Sequence, residues 1–147
     1  MITIVIGTDH HGFAHKEYIK QQLTALDAPV AWYDVGARTD ERSDYPLFAS
    51  QVAHAVLHGK AEFGVLLCGT GVGMAIAANR YKGIYAALAW NEEIARLSRE
   101  HDQANVLVLP ADYISLPQAV AMIRAWLMAT PLSDEHKIRA TMIDKLK

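Results

Sequence analysis

A single thiol stands directly ahead of a glycine-rich turn, in the run Cys-Gly-Thr-Gly-Val-Gly at residues 68–73. Glycines can adopt positive φ angles and turn backbone amides toward an anionic oxygen at the start of a helix. The positive end of that helix would favour the thiolate of Cys68. With Thr70 beside it, Cys68 could then act as a base next to an oxyanion site. The glycines of the run are Gly69, Gly71 and Gly73.

A plainer interpretation of this run also stays open. A tight turn from a strand into a helix needs glycines for close packing, whatever its function. A lone cysteine is more often a buried apolar residue than a reactive one. Alternating glycines after a strand are also common in nucleotide-binding folds. The run by itself therefore fits both an anion site and a packing turn.

Two further segments carry titratable side chains. Asp9 and His10 follow the first predicted strand, where they either cap a helix or reach a ligand. His101 ends a predicted helix, and its imidazole suits a proton shuttle near neutral pH, although a cation there also stabilises the helix. The histidines lack the local spacing of a zinc site and only one cysteine is present, so we expect no metal.

The composition indicates a folded protein with a small partner. At 147 residues we expect one domain, 1–147. A 52% hydrophobic content and a net charge of -2 argue against disorder and against a nucleic-acid partner. No apolar run reaches the ~20 residues of a membrane span, and residues 1–7 lack the basic start of a signal peptide. With one cysteine and no disulfide, we expect a cytoplasmic protein.

Strand-like and helix-like segments alternate along the chain. Apolar, β-branched runs predict strands, and apolar residues spaced three and four apart predict helices. The predicted strands are 2–8, 30–35, 62–67, 83–89 and 106–109. The predicted helices are 12–26, one opened by Ser43 or Asp44 with Pro46 in its first turn, 75–80, 92–101 capped by Asn91, 115–128 opened by Ser115 and Pro117, and 133–146 capped by Ser133.

This alternation predicts an α/β fold, a doubly wound three-layer sandwich of Rossmann-like type with a five-stranded parallel sheet. Ligands of such sheets bind beyond the carboxyl ends of the strands. The loops after strands one, three and four therefore matter most. Asp9 and Cys68 fall in the first two of these loops, and His101 falls at the far end of the helix after strand four.

Five segments together resemble the type B ribose-5-phosphate isomerases, a family that includes the galactose-6-phosphate isomerase subunits. The resemblance implies an aldose–ketose isomerase of the pentose phosphate pathway that acts through a cis-enediol, with no metal or organic cofactor. Ribose 5-phosphate is the substrate it implies first. The segments are GTDHHGF (7–13), ERSDYP (41–46), LLCGTGVGMAIAANR (66–80), KGIYAAL (82–88) and LSREHDQANVL (97–107).

The resemblance also implies a role for each matching residue. Cys68 is the base, Thr70 assists it, and the amides of the glycine turn hold the enediolate oxygen. His101 opens the sugar ring, and Asp9, His10 and Tyr45 line the sugar. The family forms homodimers, often homotetramers, with each site shared between two subunits. We therefore expect the helix at 133–146 to pack on a partner subunit.

Three positions depart from the family's pattern. Asp102 replaces an asparagine, which removes two hydrogen-bond donors from the sugar site. Asp112 and Glu135 replace two arginines of the phosphate clamp, and only Arg139 remains. The substrate is therefore either ribose 5-phosphate or an unphosphorylated or differently phosphorylated aldose, and a sugar-binding module without turnover stays a third alternative. Residues that could rebuild a phosphate pocket are His10, Arg42, His136 and Lys137.

Overall fold

Five parallel strands form one sheet in the computed structural model, which describes residues 1–23 and 29–147. They are β1 (Ile2–Thr8), β2 (Val30–Gly36), β3 (Phe63–Cys68), β4 (Ala86–Leu88) and β5 (Val106–Pro110). Their order is β2-β1-β3-β5-β4, and every pairing is parallel. The central strands are apolar on both sides because helices cover both faces. The predicted doubly wound α/β class is confirmed.

Six helices accompany this sheet within the described ranges. They are α1 (Phe13–Leu23), α2 (Tyr45–Leu57), α3 (Val72–Ala78), α4 (Glu92–Asp102), α5 (Leu116–Met128) and α6 (Glu135–Ile143). Helices α1, α4 and α5 share one core, which contains Ile4 and Trp126. Helices α2 and α3 share the core on the other face, which contains Val5 and Met74. The two faces define the layers of the sandwich, and α6 packs outside them on α4.

Local capping signals fix the starts of α4 and α5 as predicted. The side chain of Asn91 accepts a hydrogen bond from the amide of Ile94 at the start of α4. Ser115 and Gln118 form a reciprocal capping box at the start of α5. Helix α2 begins after Asp44. The side chains of Asn91 and Ser115 satisfy amides that the first turn of a helix leaves without partners, whereas Asp44 makes no side-chain cap hydrogen bond.

Helix α6 is capped by Asp134, and the prediction of Ser133 as its cap is wrong. The carboxylate of Asp134 accepts from the backbone amide of His136. The predicted helix 12–26 begins at Phe13, after a short 3-10 turn at His10–Gly12, and its predicted end at residue 26 lies outside the described residues.

Two elements beside the sheet also differ from prediction. Helix α3 starts at Val72, earlier than predicted, because Gly71 adopts a left-handed conformation with φ 76° that ends the turn at once. Strand β4 is shorter than the predicted 83–89. Gly83 takes φ 93°, and the side chain of Asn79 hydrogen-bonds both the amide and the carbonyl of Ala86. A turn before the strand and a side chain along its open edge confine it to three residues.

A buried ion pair joins α1 to β2. The Lys16 side chain is fully buried, and its ammonium lies 2.8 and 2.7 Å from the two carboxylate oxygens of Asp34. Lys20 contributes a second contact of 2.6 Å to the same carboxylate. Burial alone would raise the pKa of Asp34, but the hydrogen bonds from both lysines and from the Gly36 amide outweigh it, so the pKa is lowered.

Helix α6 leaves an apolar surface uncovered within the single chain. Leu132, just before the helix, donates its amide to the carbonyl of Glu100 at 2.9 Å, which anchors this segment to α4. On α6 and beyond it, Ile138, Met142 and Leu146 are exposed.

Among the described helices, none combines the length and hydropathy that a membrane crossing requires.

Candidate active site

The strand order reverses between β1 and β3, at the carboxyl edge of the sheet. From β1 the chain passes to β2 on one side, whereas β3 lies on the other side of β1. A crevice forms at such a point because the two following loops turn away to opposite faces. Thr8 pairs with Leu67, and Cys68 pairs with Pro110. The edge therefore brings the loop of Asp9 next to the loop of Cys68, as the sequence predicts.

Cys68 ends β3 with its side chain largely buried, at 5% exposure. Burial raises the pKa of the thiol, and the charge of Asp9 raises it further. Backbone amides of Met74, Gly71 and Thr70 hydrogen-bond the sulfur and lower the pKa, but by less. The expected net stabilisation of the thiolate by the helix start is therefore wrong. The amides are in place, yet in the single chain desolvation outweighs them.

The glycines of the turn are required by close contacts as well as by backbone shape. A Cβ atom on Gly73 would lie 2.6 Å from the ring of Tyr45. One on Gly71 would clash with the side chain of Leu88, in addition to the strain of its positive φ. The packing-turn interpretation therefore holds. The anion interpretation is compatible with the packing interpretation, because backbone amides of the same turn also act on the sulfur of Cys68.

Asp9 and His10 are both held by backbone amides. Asp9 is buried and accepts a hydrogen bond of 3.0 Å from the amide of His11, so it caps the 3-10 turn. The Nδ1 atom of His10 accepts from the amide of Ser43 at 3.2 Å, which leaves Nε2 as its protonated nitrogen. The capping role is thus real, and the same capped carboxylate acts on Cys68 through its charge.

An unpredicted contact between two titratable side chains lies beside the glycine turn. His11 Nδ1 is 3.0 Å from Asp112 Oδ2, and the rings of His11 and His10 are 4.4 Å apart. The Asp112 amide donates to the carbonyl of Gly69, and a Cβ atom on Gly69 would lie 2.6 Å from the carboxylate. Sequence analysis singled out Asp112 but not His11, because the contact spans 101 positions.

His101 lies at the opposite edge of the sheet from Cys68 within one chain. Helix α4 runs back from the carboxyl edge, and the loop after it carries Asn105. Asn105 accepts from the amides of Gly64 and Tyr85, at the amino ends of β3 and β4. Along the axis of β5, the amino ends of these strands lie about 13 Å from Cys68. The structure therefore does not bring His101 and Cys68 together in one chain.

Asp102 and Arg139 lie on the same side as His101. Asp102 ends α4 and is exposed, and Arg139 is an exposed residue of α6, which packs on α4. Tyr45, in contrast, lies at the carboxyl edge, against Gly73. The predicted site residues thus form two groups. The first contains Asp9, His10, Tyr45, Cys68, Gly69, Thr70, Gly71 and Gly73, and the second contains His101, Asp102 and Arg139.

One group in the described ranges has potential metal ligands close together. Ligand atoms of Asp134, Glu135 and His136 lie within 4.8 Å of one another at the start of α6. Two of these residues already bond each other, since His136 Nδ1 lies 2.8 Å from Asp134 Oδ1. The group belongs to the second set of site residues, and we assign no metal to it.

The fold and the site define a doubly wound α/β protein with titratable side chains gathered at the carboxyl edge of its sheet. The family model described as Ribose/Galactose Isomerase matches residues 4–143. The chain therefore belongs to the ribose/galactose isomerase family. It is an enzyme of the aldose–ketose isomerase class, an intramolecular oxidoreductase.

Individual relatives agree with this assignment. The chain is 40% identical to ribose-5-phosphate isomerase B of Escherichia coli over 147 residues, 100% of this chain and 97% of the relative. It is 38% identical to D-erythrulose-4-phosphate isomerase 2 of Mycolicibacterium smegmatis, over 86% and 84% of the two chains. The crystal structure of a Thermotoga maritima ribose 5-phosphate isomerase superposes with a TM-score of 0.93 at 41% identity, covering 99% of each chain.

A further solved structure carries a ligand. Ribose-5-phosphate isomerase B of Mycoplasma genitalium, crystallised with bound ribulose-5-phosphate, matches with a TM-score of 0.89 at 36% identity. The match covers 97% of this chain and 94% of that one. The relatives therefore include sugar phosphate isomerases with different named substrates.

Proposed function

We propose that this protein interconverts ribose 5-phosphate and ribulose 5-phosphate through a cis-enediol, without a metal or organic cofactor. The observation that carries the proposal is the position of Cys68, which ends β3 at the carboxyl edge of the sheet, where the backbone amides of Thr70, Gly71 and Met74 act to lower the pKa of its thiol. Named relatives with this activity support the choice of sugar.

In the proposed reaction, the Cys68 thiolate removes the proton from C2 of the open-chain aldose. The electron pair forms the C1–C2 double bond, and the carbonyl oxygen at C1 becomes the enediolate oxygen. Amides of the turn and the hydroxyl of Thr70 would stabilise that oxygen and help protons move between O1 and O2. Return of the proton from the thiol to C1 completes the ketose and restores the thiolate.

A thiol with a raised pKa has two consequences for this step. Its conjugate base is strong, which favours removal of a weakly acidic C–H proton, but few molecules carry the thiolate at neutral pH. Substrate binding would exclude water while adding sugar hydroxyls near the sulfur. Asp9, buried beside Cys68, would orient the sugar rather than ionise the thiol, since its charge opposes thiolate formation.

The proposed active form is a homodimer or a larger homo-oligomer. His101 would open the sugar ring, but in one chain it lies at the far edge of the sheet from Cys68. An isologous pair can place the α4–α6 corner of one subunit over the carboxyl edge of the other. Apolar side chains are exposed at both surfaces, which supports such a contact. They are Ile138, Met142 and Leu146 on one side and Leu47, Val72 and Ile76 on the other.

A different aldose is a second candidate substrate, because the carboxylate of Asp112 lies against Gly69 in the glycine turn. A phosphate dianion beside this carboxylate would be repelled, by about 4 kcal/mol for each unit pair at ~4 Å and an effective dielectric constant near ~20. His11 offsets this repulsion only when it is protonated. The alternative substrate keeps the same enediol chemistry and carries either no phosphate or a phosphate at another position.

A panel of aldoses with and without phosphate tests the choice of substrate. We expect ribose 5-phosphate to give the highest kcat/KM and to exchange its C2 proton with solvent deuterium, measured by NMR. Asp112→Asn should raise kcat/KM for phosphorylated sugars and leave unphosphorylated sugars unchanged, because only the charge is removed. A higher kcat/KM for an unphosphorylated aldose would transfer the assignment to that sugar. Tight binding of a sugar without proton exchange would contradict an isomerase.

A further inference from the structure

Two imidazole rings are stacked where α6 meets α4. The ring centroids of His101 and His136 lie 4.0 Å apart, and the ring planes are inclined by 18°. The hydrogen bond from the Leu132 amide to the Glu100 carbonyl holds the two segments together beside this stack. The ring of His101 is therefore covered on one face by a side chain from another helix.

A single carboxylate oxygen holds the second ring in place. Asp134 Oδ1 accepts from the backbone amide of His136 at 2.9 Å and contacts Nδ1 of the same residue at 2.8 Å. The pKa of Asp134 is lowered by these bonds from the backbone and the ring of His136. An ionised carboxylate only accepts hydrogen bonds, so Nδ1 of His136 carries a proton. The N-cap of α6 thus also fixes the tautomer and the plane of His136.

These contacts form a continuous chain from Asp134 through His136 to His101. A ring that is stacked on a fixed ring cannot rotate about its side-chain bonds without losing that contact. The orientation of the His101 ring is consequently fixed by Asp134 through His136.

We propose that Asp134 and His136 are positioning residues, which hold the His101 ring in the orientation that ring opening requires. This inference rests on the proposed function, in which His101 accepts the proton of the cyclic sugar's anomeric hydroxyl. His101 then returns that proton to the ring oxygen as the bond between the ring oxygen and C1 breaks, so the proton count balances. His136 thereby has a role different from phosphate binding.

A set of variants separates the parts of this arrangement. Asp134→Ser keeps an N-cap residue but removes the carboxylate from the His136 ring. His136→Phe keeps an aromatic face for His101, and His136→Ala removes it. Ser133→Ala is the matched control, because Ser133 is adjacent and does not cap α6. Thermal unfolding of each variant identifies any that fail to fold.

Each variant is measured with two substrates of the same reaction. Ribose 5-phosphate is mainly a closed ring, whereas ribulose 5-phosphate is open because its 5-hydroxyl is esterified. Consumption of the aldose depends on ring opening, but solvent deuterium uptake at C1 of the ketose does not. We expect Asp134→Ser and His136→Ala to lower kcat for the aldose about tenfold, a loss typical of removing a histidine's orienting partner. Ketose exchange should stay within about twofold, and His136→Phe should recover part of the loss relative to His136→Ala.

The outcomes of this experiment are distinct. Equal losses in both measurements, a raised KM for both sugars, or no loss in any variant would overturn the positioning role. Nitrogen-15 NMR of the imidazoles adds a readout independent of turnover. Loss of the Nδ1-protonated tautomer of His136 is expected in Asp134→Ser, and an unchanged tautomer would also contradict the proposal. A wild-type protein inactive in both measurements would instead contradict the proposed function.

Discussion

At the scale of single residues, Cys68 is the group on which opposing effects converge. Its burial and the nearby Asp9 favour the protonated thiol, whereas the amides that follow it favour the thiolate. Sequence reasoning found the residue and the amides but reversed the net effect. The composition of the turn predicts the hydrogen bonds, but desolvation depends on the core formed by both neighbouring strands and by α3, which no local pattern contains.

The raised pKa of Cys68 predicts a pH profile. Because the thiolate is the active base and the thiol pKa lies above its ordinary value of 9.0, kcat/KM should rise with pH by about tenfold per unit from neutral pH upward. Initial rates with ribose 5-phosphate measure this slope. Cys68→Ser is the control, since a serine hydroxyl does not titrate in that range, and it should lose activity about a thousandfold. A plateau at neutral pH would show that burial does not control the base.

At the scale of elements, local sequence signals set some boundaries of the helices and strands, and tertiary contacts set the others. Asn91 and Ser115 act as predicted because an N-cap is a local interaction. The limits of β4 follow instead from Asn79 and Asn105, which bond backbone groups 7 and 20 residues away. The order of strands and helices could therefore be predicted from periodicity, whereas the ends of the edge strand could not.

The buried pair of Lys16 and Asp34 gives a stability prediction. Asp34→Asn leaves the fully buried Lys16 without its main counterion, so the free energy of unfolding at neutral pH should fall by about 3 kcal/mol. Urea unfolding measures this loss. The partly exposed Lys20 provides the control, and Lys20→Ala should cost less than about 1 kcal/mol.

The sign of the pH dependence follows from the lowered pKa of Asp34. Stability from this carboxylate is present above its unfolded value of 3.8 and is lost as the pH falls through the lower folded value. Asp34→Asn removes this component, so its unfolding free energy should depend less on pH in the acidic range. Identical acid dependence in the variant and the wild type would contradict the role of the pair.

At the scale of the whole molecule, the fold divides the predicted site residues between two edges. Alternating strands and helices correctly place Asp9 and Cys68 at the carboxyl ends of two adjacent strands. The same logic places His101 at the other edge, because the helix after a strand returns along the sheet. That each site is shared between two subunits could be predicted only from the resemblance to a family of oligomers. The pairing of His11 with Asp112 needed the strand order, which places β1 and β5 on either side of β3.

The central claim is that Cys68 of one subunit acts with His101 of another, and mixing two inactive variants tests it most directly. Cys68→Ala and His101→Ala are purified separately, mixed in equal amounts and allowed to exchange subunits. In a twofold-symmetric dimer with shared sites, each mixed dimer contains one intact site, so the mixture should recover about a quarter of the wild-type activity with ribose 5-phosphate. Size-exclusion chromatography with mass spectrometry verifies that mixed dimers form. If they form and activity does not recover, Cys68 and His101 do not act together across subunits, and the account is wrong.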